Sequence, residues 1–383
     1  MNDQPPAAPG RRAYVAGVGM TPFARDHDAP FQELGAKAIH MALDDAQISW
    51  RDVELVIAGV VGGYLGAASS IVHEMTWTGV PTVAVESASA TGSAAFADAF
   101  AAVASGRVSC AVAVGCGSLT AALGQLASHS AKPTLAAITG ANLPPTTFAM
   151  LKRQRMHEYD EPADAALAVV AKNLRNASRN PLAQRNTALS MADIKASPML
   201  ADPLRRAEFC PTGDGAAAVV LTAAPAPVGP SIRVAAAVSA TDQWHPAAAC
   251  APDPGITARV AQVAYQAAGI TADDLDVIAV HDAFSVEELQ YLEDLGVCPR
   301  GQAGIQLMAG QFDIGGRVAV SSDGGLIGRG HPGGATGLAQ IVELVNQLRE
   351  SAGDRQHPCP RTGLAHMIGA GGTCFVQILR KEA

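Results

Sequence analysis

Two stretches of this chain carry the same pattern of hydrophobic and polar positions, 222 residues apart. AKAIHMALDDAQISWRDVELVIAGVV, from Ala36, has apolar residues spaced by three and four, then a polar turn, then a continuous apolar run. ARVAQVAYQAAGITADDLDVIAVHDAF, from Ala258, does the same, with Ala42 laid on Ala264, Ile48 on Ile270, Asp52 on Asp274 and Val56 on Ile278. Each stretch predicts a helix, a turn and a strand buried on both faces, as in a parallel sheet. A second match, at a shift of 245, lays Ala90-Thr91-Gly92 on Ala335-Thr336-Gly337. Both triplets open small-residue helices, and each helix leads to another apolar strand, from Cys110 and from Leu364. Two matches in the same order point to a duplicated α/β chain.

The pattern divides the chain into a first half over 13–222, a proline-rich linker over 223–230 (AAPAPVGP) and a second half over 231–383. Residues 1–12, MNDQPPAAPGRR, read as a disordered tail. About 119–205 has no counterpart in the second half and reads as an inserted cap with a polar helix over Ala165–Ser178, a usual place for substrate selection.

Hydrophobic residues make up 49% of the 383 and charged residues 16%, enough apolar surface for a large core and too little charge for a disordered chain. A net charge of −8, with no run of Lys or Arg longer than two, argues against nucleic acid as a partner. No apolar stretch approaches the ~20 residues that span a bilayer, and the N-terminus lacks a signal-peptide apolar region. The expectation is a cytoplasmic protein with no membrane partner. Seven scattered cysteines, with no CxxC pair, argue against a disulfide framework and against a metal site.

Three side chains carry the candidate chemistry. Ser89 lies between a short strand, Thr82 to Val85, and a helix of small residues. A helix N-terminus offers free N–H groups and a positive dipole end, which suit a nucleophile or a developing oxyanion. Serine is also a favoured helix cap, so the residues alone leave both readings open. His331 sits in GRGHPGGATG, where glycines let the backbone approach a ligand. His281 ends an apolar strand in VIAVHDAF, at the sheet edge where open α/β folds place ligands, or where a polar pair merely caps the strand.

These segments resemble the thiolase superfamily, and HDAF with the following VEELQYLEDLG resembles the HDCF motif of its sterol-carrier-protein-type branch. AYVAGVGMTPFAR and ADPLRRAEFCPTGDGAAAVVLT match further family segments, so five matches run in order along nearly the whole chain. The resemblance implies a five-layered αβαβα fold built from two βαβαβαββ halves, and a homodimer. It implies a coenzyme A thioester as substrate with no covalently bound cofactor. It makes His331 the activator of the nucleophile and His281 part of an oxyanion hole, with backbone N–H groups of Ala370 and Gly371 forming a second one. A small OB-fold protein with a zinc ribbon is the partner it suggests.

Three positions depart from the family pattern. Ser89 replaces the nucleophilic cysteine, Ala283 replaces the HDCF cysteine, and SSDGG (Ser321 to Gly325) replaces NPSGG. Serine needs a well-placed base to act as a nucleophile. The usual thiolase base position falls on Ile368, and Cys374 reads as a buried strand residue before it reads as an acid or base. The chain is therefore expected to be an acyltransferase or Claisen-type enzyme using Ser89. The alternatives are an acyl-CoA aldolase without a covalent intermediate, a non-catalytic subunit, and a cysteine enzyme engineered to serine.

Overall fold

The structure, a computed structural model, describes residues 11–25, 27, 29–62, 64–117, 144–226, 229–243, 255–370 and 372–382. Most of the expected tail therefore lies outside the described residues, as does the start of the expected insertion.

The first half runs β1 (Tyr14–Met20), α1 (Phe31–Ala46), β2 (Leu55–Val61), α2 (Ala67–His73), β3 (Thr82–Val85), α3 (Thr91–Ala104) and β4 (Cys110–Gly117). Then come α4 (Pro144–Glu158), α5 (Ala165–Ala177) and a small ribbon of β5 (Met199–Ala201) and β6 (Leu204–Arg205), before β7 (Ala216–Thr222). The second half runs β8 (Ile232–Thr241), α6 (Ile256–Ala268), β9 (Val277–Ala279), α7 (Ser285–Asp294), β10 (Ala319–Val320), α8 (Thr336–Leu348), β11 (Thr362–Gly369) and β12 (Thr373–Lys381).

Strand pairing repeats the pattern of the sequence. In the first half β3, β2 and β4 are parallel neighbours, and β7 and β1 follow antiparallel. In the second, β10, β9 and β11 are parallel, and β12 and β8 follow antiparallel. The two five-strand units join edge to edge through Tyr14↔Arg233 and Val15↔Ile232. The duplication extends to the caps. Helix α1 ends on Gln47 at φ 55° and α6 ends on Gly269 at φ 66°, the same position after the 222-residue shift. A 3-10 turn then enters the next strand in each half, over Trp50–Asp52 and over Ala272–Asp274.

Helix α1 covers the outer face of the first sheet and α6 that of the second, while α3 and α8 pack between the sheets. The result is the five-layered αβαβα arrangement of two βαβαβαββ halves. The two central helices cross on glycine. A Cβ at Gly92 would stand 2.7 Å from the Gly334 carbonyl, and one at Gly337 would collide with Ser93. This close crossing brings the N-termini of α3 and α8 together.

The segment between β4 and β7 is less of a polar surface than its sequence suggests. Helix α5 turns Lys172, Asn173 and Asn176 inward, where Lys172 Nζ donates to the Val320 carbonyl (2.7 Å) and Asn176 Nδ2 to the Ser321 carbonyl (3.1 Å). Arg155 of α4 is buried and bridges Glu161 (2.7 Å) and Glu293 (2.6 Å). These buried polar residues anchor the segment to the second half. Among the described residues no helix is long and apolar enough to cross a membrane. No cluster of three or more His, Cys, Asp or Glu side chains among them is placed to hold a metal ion.

Candidate active site

Between β3 and α3 the chain makes a 3-10 turn over Ala88–Ala90. Ala88 adopts φ 48°, unusual for a residue with a Cβ. The turn is held by its own hydrogen bonds, from the Ala88 amide to Glu86 Oε1 and from the Ser87 amide to Thr91 Oγ1, both 2.7 Å. The capping position of α3 is Ala90, and no side chain caps that helix. Ser89 is thus not the cap its sequence context allows. Its hydroxyl lies 3.1 Å from His331 Nε2 instead, across 242 residues of sequence.

His331 is 2% exposed and follows Gly330, whose φ of 109° a residue with a side chain would resist. Its Nδ1 lies 2.7 Å from Thr336 Oγ1, the first residue of α8. That hydroxyl donates its only proton to the Pro332 carbonyl at 2.7 Å, so towards Nδ1 it can only accept. The ring proton is therefore on Nδ1, and Nε2 offers its lone pair to Ser89. Burial, then the neighbouring His281 and Arg329, holds His331 well below the usual imidazole range. It is neutral at neutral pH, as a base must be.

His281 meets His331 edge to face, with ring centroids 5.7 Å apart and planes at 84°. Its Nδ1 lies 3.3 Å from Glu287 Oε1. Its Nε2 is buried without a hydrogen-bond partner. The adjacent Asp282 has a structural task. It accepts from the Leu326 amide (2.7 Å) and from Asn173 Nδ2 (2.8 Å), tying the short helix Gly325–Gly328 ahead of His331 to the β9 end.

The terminal glycine loop packs against the Ser89 turn. A Cβ at Gly369 would strike the Ser87 carbonyl, and Ala90, Met367 and Phe375 form one apolar cluster beneath. Ala370 lies exposed in the turn after β11, and Gly371 lies outside the described residues. Cys374 is buried on β12, opposite Ile368 of β11. Strand alternation sends Phe375 to the Ala90 side and Cys374 to the other face of the sheet, among residues under α6. There burial pushes its thiol up to about 12. It does not join the site, and neither Ala283 nor Ile368 can carry a proton.

Sequence reasoning brings Ser89, His281 and His331 to one place, and the structure does too. It misses Thr336, Glu287 and Tyr291, whose hydroxyl donates to Glu287 Oε1 at 2.9 Å. Thr336 stands in the repeated Ala-Thr-Gly, and Glu287 lies six residues beyond His281, in the first turn of α7; both sit within motifs whose other residues draw the attention. Elsewhere, the Tyr64 ring lies tilted 4.6 Å from that of Phe31 and the His73 ring tilted 5.3 Å from that of Trp77, while Met150 is largely exposed on α4.

Residues 13–225 match the thiolase N-terminal domain family and residues 240–380 the thiolase C-terminal domain-like family. Acetyl-CoA acetyltransferase of Methanothermobacter thermautotrophicus is 32% identical over 97% of this chain and 100% of its own length. Human sterol carrier protein 2 is 31% identical over 97% of this chain and 72% of its own. Among solved structures, an Ltp2-ChsH2(DUF35) aldolase superposes with a TM-score of 0.83 at 21% identity, covering 98% of this chain and 99% of that one. With both domain families matched in order, and the HDAF segment of the sterol-carrier-protein type at the β9 end, this chain belongs to the thiolase superfamily as a sterol-carrier-protein-type thiolase-like protein.

Proposed function

We propose that this protein makes or breaks a carbon–carbon bond in a coenzyme A thioester by an aldol-type reaction, without a covalent acyl intermediate. The observation that carries the reading is the pairing of two histidines around a serine, with no thiol hydrogen-bonded to any of the three among the described residues. Among the described residues, Cys110, Cys116, Cys298 and Cys374 have thiols pushed up to about 12, with burial the leading cause, and none hydrogen-bonds to His331. The two positions that the resemblance gives to a second proton carrier, Ala283 and Ile368, hold apolar side chains. Thiolysis needs both of those parts. Aldol cleavage needs a base for the β-hydroxyl, donors for the thioester enolate and an acid for its α-carbon. His281 and His331 supply the proton transfers. Backbone N–H groups of Ala370 and Gly371 are the proposed enolate donors, and Ser89 orients the thioester through His331. Of the relatives' names, the aldolase fits this reading, while the acetyl-CoA acetyltransferase fits acyl transfer. The aldolase is named with a DUF35 partner, and a small OB-fold partner with a zinc ribbon is proposed here as well.

One observation favours a second reading, in which Ser89 is acylated: its hydroxyl already faces a neutral imidazole lone pair at 3.1 Å. Intact-mass measurement during turnover of a β-hydroxyacyl-CoA, with Ser89→Ala and Ser89→Cys alongside, separates the two. The aldol reading expects no adduct and an alanine variant that keeps activity within about tenfold. An acyl adduct on wild-type Ser89, with activity abolished in alanine and raised in cysteine, would establish the second reading and end the first.

A further inference from the structure

Three donors converge on the buried carboxylate of Glu287. The Phe284 amide reaches Oε2 at 2.8 Å, the Tyr291 hydroxyl reaches Oε1 at 2.9 Å, and His281 Nδ1 lies 3.3 Å from the same Oε1. A backbone amide can only donate, so Oε2 is an acceptor. Oε1 accepts from the phenol. For an ionised carboxylate all three contacts are donations to it, so the third comes from His281 Nδ1. Nε2, across the ring from Glu287, is left buried and without a partner.

The groups around this pair do not compete for the proton. His331 faces His281 from the loop before α8 and is held neutral by burial. The His366 ring of β11 lies 4.5 Å from that of Tyr291, tilted by 56°, and is also held neutral, pushed down to about 3 by burial and then by His281. Cys374 of β12 and Cys210, ahead of β7, stay protonated because burial raises both thiols. Asp282 and Glu288 are occupied on the far side by Asn173 and Lys172.

We propose that Glu287 is a positioning residue that keeps the His281 proton on Nδ1, so that Nε2 accepts a proton from substrate instead of donating an N–H to an oxyanion. This reverses the role that the HDCF resemblance implies, and it rests on the aldol reading above. In the cleavage direction Nε2 takes the β-hydroxyl proton. The O–H electron pair becomes the new C=O bond, the Cα–Cβ bond breaks, and its electrons form the thioester enolate. His281 is then an imidazolium balanced by the Glu287 carboxylate, and its proton passes to the α-carbon. A carbonyl compound and a shortened acyl thioester leave with no net change in protons.

The test is the ring-nitrogen spectrum of the full chain labelled with 15N-histidine, the His281 signals being those lost in His281→Ala. Wild type should show Nδ1 protonated and Nε2 bare at neutral pH. Glu287→Gln should exchange them. The fixed Phe284 amide claims the amide oxygen of glutamine, so the NH2 group faces Nδ1 and drives the proton to Nε2. In the same variant kcat on a β-hydroxyacyl-CoA should fall by about 100-fold, the scale of one general base, with KM changed by less than about threefold. Should that variant fail to fold, wild type and Tyr291→Phe decide, since both should keep the proton on Nδ1. A wild-type His281 with its proton on Nε2, or on both nitrogens, overturns the proposal, as does a folded Glu287→Gln that leaves the spectrum unchanged. The spectrum is independent of turnover. The expected tautomer without any carbon–carbon cleavage would sink the aldol reading and leave the proton placement standing.

Discussion

The site is built from imidazoles that the fold keeps out of water, and each has a different neighbour to fix its proton. Thr336 does this for His331 through a hydroxyl already committed to a carbonyl. A third, His366, has no substrate-facing position; it shares one contact with Thr257 Oγ1 at 3.0 Å, and its Nδ1 is buried without a partner. Burial, then the nearby His281, lowers it to about 3. The unfolded chain, with an ordinary imidazole near ~6.5, binds that proton more readily than the folded one. Stability therefore falls as pH drops below ~6.5 and continues to fall towards the folded value. His366→Gln keeps a partner for Thr257 and removes the titration. Between pH 6.5 and 4.5 wild type should lose roughly 2 kcal/mol relative to the variant, at ~1.36 kcal/mol per pKa unit. Urea midpoints at the two pH values read it directly, and parallel losses in both proteins would refute it. Residue identity at Ser89, His281 and His331 was legible because glycine and strand-end contexts mark them. The Thr336 contact was not, because a threonine opening a helix has the same sequence signature whether it caps or accepts.

Local elements carry a different kind of information. The duplicated helix–turn–strand units announce themselves through periodicity, and the structure gives their polar turns a 3-10 form after α1 and α6. The seam between the α4–α5 segment and the second half does not, since Arg155 meets Glu293 across 138 residues and leaves no local pattern. That seam gives a sharp prediction. Arg155→Met leaves Glu161 and Glu293 buried without their counter-charge, and should cost about 3–5 kcal/mol. Arg153→Met, two residues away on the exposed side of the same helix, breaks only the exposed pair with Asp202 and should cost under about 1 kcal/mol. Denaturant melts of the two variants check the contrast, and comparable losses would mean the buried network is not what anchors the segment. The polar helix of the sequence reading, over Ala165–Ala177, turns Lys172, Asn173 and Asn176 inward as buried partners, and burial is not written in residue type.

For the whole molecule, the duplication is what makes a site from residues so distant in sequence. Equivalent helices α3 and α8 cross on Gly92 and Gly337, so the Ser89 turn and the His331 loop must meet wherever the two halves interlock. The repeat also exposes a surface. Strand β3 pairs with β2 on one side, and among the described residues no strand covers its other edge. Its Ala84 is exposed, and Leu65 and Trp77 stand out of the same stretch at 101% and 77% exposure. An open edge with apolar neighbours is an invitation to pair with another copy. The chain is proposed to form a homodimer through β3. Light scattering at micromolar concentration should give twice the mass of the chain, and Ala84→Arg should shift it towards the monomer by placing like charges opposite each other across the two-fold. The Ser89 turn follows β3 after a few residues, so the partner's strand would brace the turn that holds Ala88 at φ 48°. Specific activity of wild type should then fall on dilution, in step with dissociation. A wild-type monomer at micromolar concentration, or activity that ignores dissociation, would mean that the open edge serves some other contact and that the turn stands without help.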